Sequence, residues 1–325
     1  VSDRRSLLRF AERALFSLAD HHAITGASFR DSFAVVPTFA DLWIERRGGT
    51  FAVTSVREGS PAASAGVVRG DALAEIEDIP AADAVAAFWD DLGLPLTEER
   101  AAFAARVLAA GRRDRPRRLA FRSSAGEVRR IELPNLYQAP PEPRPPVSAA
   151  EQGGALVIRI NDSLGDRAAI AAFDAAMARA RRGQRVTIDL RDTPSGGNTV
   201  VARAILGWFV GQPAFYQVHN LPAEERETGI ARQWAEQVLP RAGRRHRGPV
   251  RVLVGRWTGS MGEGLAIAFD ALGARVEGTR MAGLLGAIHD HRLDHSGLIL
   301  KIPTERLYHV DGTPREDFVP RRRSR

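Results

Sequence analysis

The stretch from Val250 to Gly273 constrains the fold of this chain most. Val250-Arg251-Val252-Leu253-Val254-Gly255 is a short apolar run rich in β-branched residues, which predicts a buried strand. Residues 265–272 are apolar and end at Gly273, which predicts a helix with a glycine stop. Between them lies Arg256-Trp257-Thr258-Gly259-Ser260-Met261-Gly262-Glu263-Gly264. A buried strand that runs straight into a helix through glycines belongs to an α/β layer. Ser260 sits at that junction and has two readings. One is an ordinary helix N-cap. The other is a nucleophile on a sharp turn, with the N–H groups of a helix N-terminus beside it to hold an oxyanion.

The chain has 325 residues, enough for two or three domains and a sizeable core. It contains no cysteine, which excludes disulfides, thiolate metal sites and a cysteine nucleophile, but does not fix the compartment. No apolar run reaches the ~18 residues that span a bilayer. The first residues, from Val1, form no signal peptide and no initiator Met precedes them, so the sequence leaves open a removed leader. The net charge of +7 is carried almost wholly by arginine, since Lys301 is the sole lysine. The basic clusters at residues 112–118, 241–247 and 321–325 fall in turns and the tail. They have no interleaved aromatics and no recognition helix, which argues against a nucleic-acid surface.

Residues 4–23 read as an amphipathic helix, with Leu8, Ala11, Leu15, Leu18 and His22 on one stripe; His22 then continues the apolar face. Residues 42–44 and 51–56 read as strands. They lead to Glu58-Gly59-Ser60-Pro61-Ala62-Ala63-Ser64-Ala65-Gly66-Val67-Val68-Arg69-Gly70-Asp71. This run resembles the PDZ signature, in which a short helix joins two strands. The resemblance implies a module that takes an extended peptide as an added strand. A strand at 72–76, helices near 82–92 and 97–110, and a hairpin of 119–122 with 128–133 complete it. Ala139-Pro140-Pro141-Glu142-Pro143-Arg144-Pro145-Pro146 is a stiff linker. The expected domains are a helical segment at 1–37, a PDZ-like domain at 38–136, a linker at 137–148 and a catalytic core at 149–325.

From Gly154 onward strands and helices alternate: a strand at 155–160, a helix at 167–181, a strand at 186–190 and a helix at 199–210. The second strand runs into Arg191-Asp192-Thr193-Pro194-Ser195-Gly196-Gly197-Asn198, a turn that either presents bare N–H groups or is an ordinary loop. Residues 212–248 read as a polar excursion with one helix near 229–238. His289, His291 and His295, with Asp290 and Asp294, form a histidine-dense segment that admits a zinc reading. It lacks a glutamate at metalloprotease spacing.

The order of these motifs resembles the tail-specific, or C-terminal-processing, serine peptidases. The resemblance implies an α/β fold with a crotonase-like (ClpP/crotonase-type) catalytic core. It implies that the Asp189-Leu190-Arg191 and Gly196-Gly197 turn supplies oxyanion N–H groups, with a second donor at Met261. It also implies that the nucleophile is the serine three residues before a glutamate, here Ser260 and Glu263. The common branch pairs that serine with a lysine in a "GKG" segment; here the segment is Gly283-Leu284-Leu285-Gly286, and Lys301 would have to serve instead. The tricorn-like branch uses Ser, His and Glu. Asp20-His21-His22 fits its histidine motif with His22 as base, and Glu316 after Asp311-Gly312 fits its glutamate, ahead of Asp317 and Glu305. A neutral imidazole takes the serine proton and a carboxylate fixes its tautomer.

The expected activity is therefore a serine endopeptidase acting on proteins or peptide tails in extended form, without a cofactor. Its site is not local: nucleophile, base and orienting acid come from opposite ends of the sequence. The rival class is a non-catalytic peptide- or ligand-binding protein on the same scaffold. By resemblance the location is extracytoplasmic, periplasmic or secreted, with the cytoplasm left open. The sequence also leaves open a homo-oligomer, the substrate, and gating by the PDZ-like module.

Overall fold

The structure is a computed structural model that describes residues 3–90 and 92–322. The expectations that fall on Val1 and on Arg323 and Arg325 of the basic tail lie outside the described residues. The chain divides into two compact units, residues 1–142 with 290–302, and residues 143–289 with 303–325. No described helix is long and apolar enough to cross a membrane.

In the first unit, the strands Leu42–Arg47, Thr50–Val56, Ala72–Ile76, Arg117–Arg122 and Val128–Leu133 form an antiparallel sheet in that order. The short strand Ile79–Pro80 folds back on Ala72–Ile76. Alternating residues of this sheet, among them Ile44, Val53, Leu73, Leu119 and Phe121, pack against Val85 and Trp89 of the helix Ala81–Asp90 and Phe103 of Glu98–Ala110. One ion pair ties these elements together. Arg117 and Asp41 are both fully buried, with Nη2 and Oδ2 2.6 Å apart. Arg117 Nη1 donates to the Ala109 carbonyl at 2.5 Å, and Asp41 Oδ2 also accepts the Ala62 N–H at 3.1 Å. The helix Pro61–Ser64 is thereby fixed to the sheet at its start.

The first helix is shorter than its hydrophobic stripe predicts. It spans Arg4–Phe16, capped by Asp3, whose carboxylate accepts the Ser6 N–H at 2.7 Å. At its end the Ser17 hydroxyl bonds back to the Ala14 carbonyl at 2.6 Å, and Ala19 takes a left-handed φ of 49°. A non-glycine residue in that region cannot continue a helix. His21 and His22 therefore lie in a buried turn beyond the helix rather than on its face.

The second unit contains the sheet Arg275–Gly278, Val250–Val254, Val186–Asp189, Ala155–Ile160, Val147–Gln152. The first four strands are parallel and Val147–Gln152 is antiparallel at the edge. Ile188 lies between Val252 and Ile158 in register. The helices Ala168–Met177, Thr199–Leu206 and Met261–Ala271 cross between parallel strands, and Phe173, Ile205 and Phe269 bury against Ile158, Val186 and Val252. A second sheet joins Ala214–Asn220 to Gln233–Val238 and to the last residues of Ile299–Tyr308. The expected helix at 229–238 is absent. The helix Pro222–Thr228 stops at Gly229, with φ 73°, and Gln233–Val238 alternates exposed with less exposed residues, the period of a strand.

Part of the basic charge is consumed internally. Asp174 accepts both Nη atoms of Arg241 at 2.7 Å and Nε of Arg244 at 3.2 Å. The buried Asp41–Arg117 pair yields the first prediction. Asp41→Ala leaves a buried guanidinium without its carboxylate and should cost about 3–5 kcal/mol, read as a lowered urea midpoint. An unchanged midpoint would show that the pair is not a fixed point of this unit.

Candidate active site

Parallel strands aim their following loops at one edge of the sheet, where α/β folds place their ligands. Four such loops belong to the second unit: residues 161–167, 190–198, 255–260 and 279–286. Two-residue parallel bridges stitch the second to the third, Asp192 with Trp257 and Thr193 with Thr258. The Thr193 and Thr258 hydroxyls both donate to the Leu190 carbonyl at 2.8 Å, and the Gly259 N–H donates to the Thr193 carbonyl at 3.2 Å. The Asp189-Leu190-Arg191 segment closes on itself, since Asp189 accepts Arg191 Nε at 2.9 Å and Nη2 at 2.7 Å. Burial works to raise the Asp189 pKa, yet Arg191 holds it below the usual carboxylate value.

This stitching brings Gly196 onto Ser260. A Cβ on Gly196 would lie 2.4 Å from Ser260 Cβ and 3.0 Å from the Met261 nitrogen, and Gly196 has φ 67°. Only glycine meets both demands. Gly197 packs as closely on Leu164, where a Cβ would lie 2.0 Å from the carbonyl carbon. The helix begins at Met261, earlier than the sequence indicates, so Ser260 stands directly at its N-terminus. Ser260 is partly exposed, with φ 52° and ψ −118°, a strained conformation for a residue with a side chain. Among the described residues, the N–H groups of Gly197 and Met261 donate to no hydrogen-bond partner. A hydroxyl on a strained elbow with free N–H donors beside it can attack a carbonyl and stabilise the oxyanion that forms.

The elbow is held by Glu263, which is fully buried. Its carboxyl accepts the N–H of Ser260 at 2.9 Å, of Gly283 at 2.8 Å and of Leu284 at 3.3 Å. Burial pushes its pKa up to about 7, against the opposing pull of the Arg315 charge and these three N–H groups. Buried Arg315 donates Nη2 to the carbonyls of Leu284 at 2.9 Å and Gly286 at 2.8 Å. The loop Gly283-Leu284-Leu285-Gly286 is therefore pinned from both sides. Glu316, next to Arg315 in the turn Arg315–Asp317, is half-buried and its carboxylate has no partner among the described residues. Asp317 in the same turn is exposed.

His22 belongs to the first unit, where its N–H donates to Asp20 Oδ1 at 3.0 Å. Its neighbour His21 is fully committed. Nδ1 lies 2.5 Å from the Val35 carbonyl and Nε2 accepts Arg106 Nε at 2.8 Å. Burial and the Arg106 charge push its pKa down to about 3, so it stays neutral with the proton on Nδ1. Lys301, also in the first unit, bonds Asp290 at 2.8 Å from within a strand.

A histidine site in the second unit carries no signal in the sequence. His219 Nδ1 bonds Glu305, its Nε2 lies 3.0 Å from Gln217 Nε2 and 3.7 Å from Glu236, and Trp234 stacks on the ring. Burial would lower the His219 pKa, but the two carboxylates outweigh it and raise it to about 9. An imidazole already charged at neutral pH cannot accept a serine proton. Glu305, a lesser candidate for the orienting acid, is thus occupied by His219 and by His289 at 3.1 Å. His289 and His291 lie in the strand Ala287–Arg292 and His295 in the turn beyond it. Among the described residues, no three His, Asp or Glu side chains gather as a metal site.

Two predictions follow from these buried groups. Glu263→Gln replaces a carboxyl that accepts three N–H groups with an amide whose NH2 can only donate, and should destabilise the protein by about 1–3 kcal/mol, measured as a lowered thermal midpoint. The pKa of His219 is raised on folding, so its contribution is complete below about pH 6.5 and fades as pH climbs through about 9. Urea unfolding of wild type should weaken over that window, and His219→Gln should remove that part of the slope. Parallel pH profiles would refute the assignment.

Residues 155–318 match the family described as Peptidase family S41. No curated protein sequence matches significantly. Among solved structures, the photosystem II D1 C-terminal processing protease superposes with a TM-score of 0.59 at 16% identity, covering 99% of this chain and 83% of that one. Mature CPAF complexed with lactacystin superposes at 0.57 with 13% identity, covering 96% of this chain and 82% of that one. At such identities these structures are alike in their mixed α/β fold. The family match spans half of the chain, including the elbow, the glycine turn and the loop pinned by Glu263: the protein belongs to peptidase family S41 and is a serine peptidase.

Proposed function

We propose that this peptidase cleaves proteins or peptide tails through an acyl-enzyme, with Ser260 as nucleophile, His22 as general base and Glu316 as the acid that orients it. The observation that carries the reading is the elbow itself: Ser260 at φ 52° against Gly196, beside the unpartnered N–H groups of Gly197 and Met261. Ser260 Oγ attacks the scissile carbonyl while His22 takes its proton. The Gly196/Gly197 turn and the Met261 N–H stabilise the oxyanion. Collapse expels the amine, which receives the proton from His22. Water then hydrolyses the ester by the same route. Two facts support His22 over the other bases. His21 has both ring nitrogens engaged, and His219 carries its proton at neutral pH. Glu316 has a half-buried carboxylate with no partner among the described residues, which leaves it an acceptor for an imidazole N–H.

The reading includes the finer architecture: a helical segment at 1–37, a PDZ-like module at 38–136, a linker at 137–148 and a crotonase-like core at 149–325, on the tricorn-like Ser-His-Glu branch. Substrate would lie extended, with the module as one point of capture. An extracytoplasmic location and a homo-oligomer belong to the same proposal. The Ser–Lys alternative on Lys301 is weakened by its ion pair with Asp290, which already engages the amine within the first unit. The non-catalytic alternative leaves the strain at Ser260 without a use.

The test is labelling by a fluorophosphonate probe together with casein cleavage. Ser260→Ala should abolish both, and His22→Ala should lower cleavage by about a thousandfold or more. Lys301→Ala and His219→Gln should stay near wild type. Cleavage that survives Ser260→Ala would sink the nucleophile. Loss in Lys301→Ala with retention in His22→Ala would transfer the base to the lysine.

A further inference from the structure

The first unit holds a second feature with the properties of a ligand site: a cavity of about 350 Å³ between the first helix and the segment after His22. Its wall is mostly apolar, formed by Phe16, Ile24, Phe33, Val36 and Phe39, with Tyr137 stacked on Phe39 at 3.8 Å between ring centroids. A concave apolar wall with a few polar groups at one side is the usual form of a small-molecule pocket.

The polar groups have an excess of positive charge. Four arginines, Arg9, Arg13, Arg112 and Arg113, line the cavity with two carboxylates, Glu12 and Asp31. Asp31 is already shared by Arg9 at 3.2 Å and Arg112 at 2.8 Å. Glu12 accepts the Ser32 hydroxyl at 2.6 Å and lies 3.9 Å from Arg9. Arg113 has no carboxylate partner among the described residues. Its Nη1 meets the Ser28 hydroxyl, its guanidinium lies 4.7 Å from the Tyr137 ring centroid, and its Nε is buried without a hydrogen-bond partner. The guanidinium thus carries a charge that no carboxylate among the described residues balances, and its remaining N–H donors suit an anion of matching geometry.

From the apolar wall and the uncompensated Arg113 we infer that this cavity binds a carboxylate with an apolar tail, the acid on Arg113 and the tail among Phe16, Ile24, Phe33 and Val36. The chemistry is shared by a medium-chain fatty acid and by the free C-terminus of a peptide ending in an apolar residue. The volume suits a tail of about ten carbons or one or two apolar side chains. None of the lining residues belongs to the Ser260 elbow, and a binding measurement on the cavity does not depend on the catalytic reading.

The test is displacement of a fluorescent undecanoate probe from the whole protein, with decanoate, decanol, an apolar tripeptide with a free C-terminus, and its C-terminal amide as competitors. Decanoate or the free-acid tripeptide should compete saturably, and decanol and the amide should be weaker by roughly tenfold or more. The stronger of the two acids identifies the source. Arg113→Gln should weaken acid binding by a similar factor and leave decanol unchanged, and Val36→Phe should exclude all of them. Thermal unfolding of both variants verifies that they fold, and their cleavage of casein provides a second check on the same preparations. No saturable competition by either acid, or equal binding of decanoate to wild type and Arg113→Gln, would overturn the inference.

Discussion

The geometry around Ser260 depends on one buried carboxyl. Glu263 accepts the N–H of Ser260 on one side and those of Gly283 and Leu284 on the other. Removing a carboxylate from water costs several kcal/mol. That cost is visible as the upward pKa shift to about 7. It is offset by three backbone donors and by the charge of Arg315, so that the group is held in place without a direct salt-bridge partner among the described residues. The result is a serine whose backbone is fixed from behind. A left-handed, strained residue persists only where its surroundings determine it this tightly.

The glycines around the elbow follow from the same packing. The bridges between Asp192–Thr193 and Trp257–Thr258 bring two loops close enough that a methyl group at position 196 would overlap the serine side chain. The spacing of glycines in this region is therefore set by backbone contact, and flexibility is a lesser matter. What the close approach achieves electrostatically is to place donors where the helix N-terminus already favours negative charge.

The histidines show how strongly environment separates residues of one type. His21 is neutral because it is buried against Arg106, with a carbonyl fixing its tautomer. His219 is charged because two carboxylates overcome its burial. His21, with both nitrogens engaged and a pKa near 3, is too weak a base, and His219 already carries its proton, so neither suits a general base at neutral pH. The adjacent pair His21-His22 is indistinguishable in sequence terms except by motif position. The structure engages both ring nitrogens of His21, one with the Val35 carbonyl and one with Arg106, which is a difference the sequence does not show. The single lysine is likewise defined by its environment, an ion pair with Asp290.

Much of the fold was legible in the sequence. Val250–Val254, Val186–Asp189 and Ala155–Ile160 are mostly buried and read as short, largely apolar, β-branched runs. The glycine turn after Asp189 and the Ser260 junction were legible because close backbone approach admits few residue types. The first helix was overextended because its stripe continues past Phe16 while a left-handed Ala19 ends it. Gln233–Val238 was misread because a polar, half-exposed strand has no apolar run to announce it. His219 and Glu305 were not connected, since 86 residues separate two side chains that meet only through antiparallel pairing of Ala214–Asn220 with Ile299–Tyr308. The sequence by itself determined which residues could do chemistry and where strand gives way to helix, because those are local demands on side-chain and backbone type. The tertiary structure decided which of those groups are charged, engaged or free, because pKa and hydrogen bonding depend on burial and on neighbours distant in the chain.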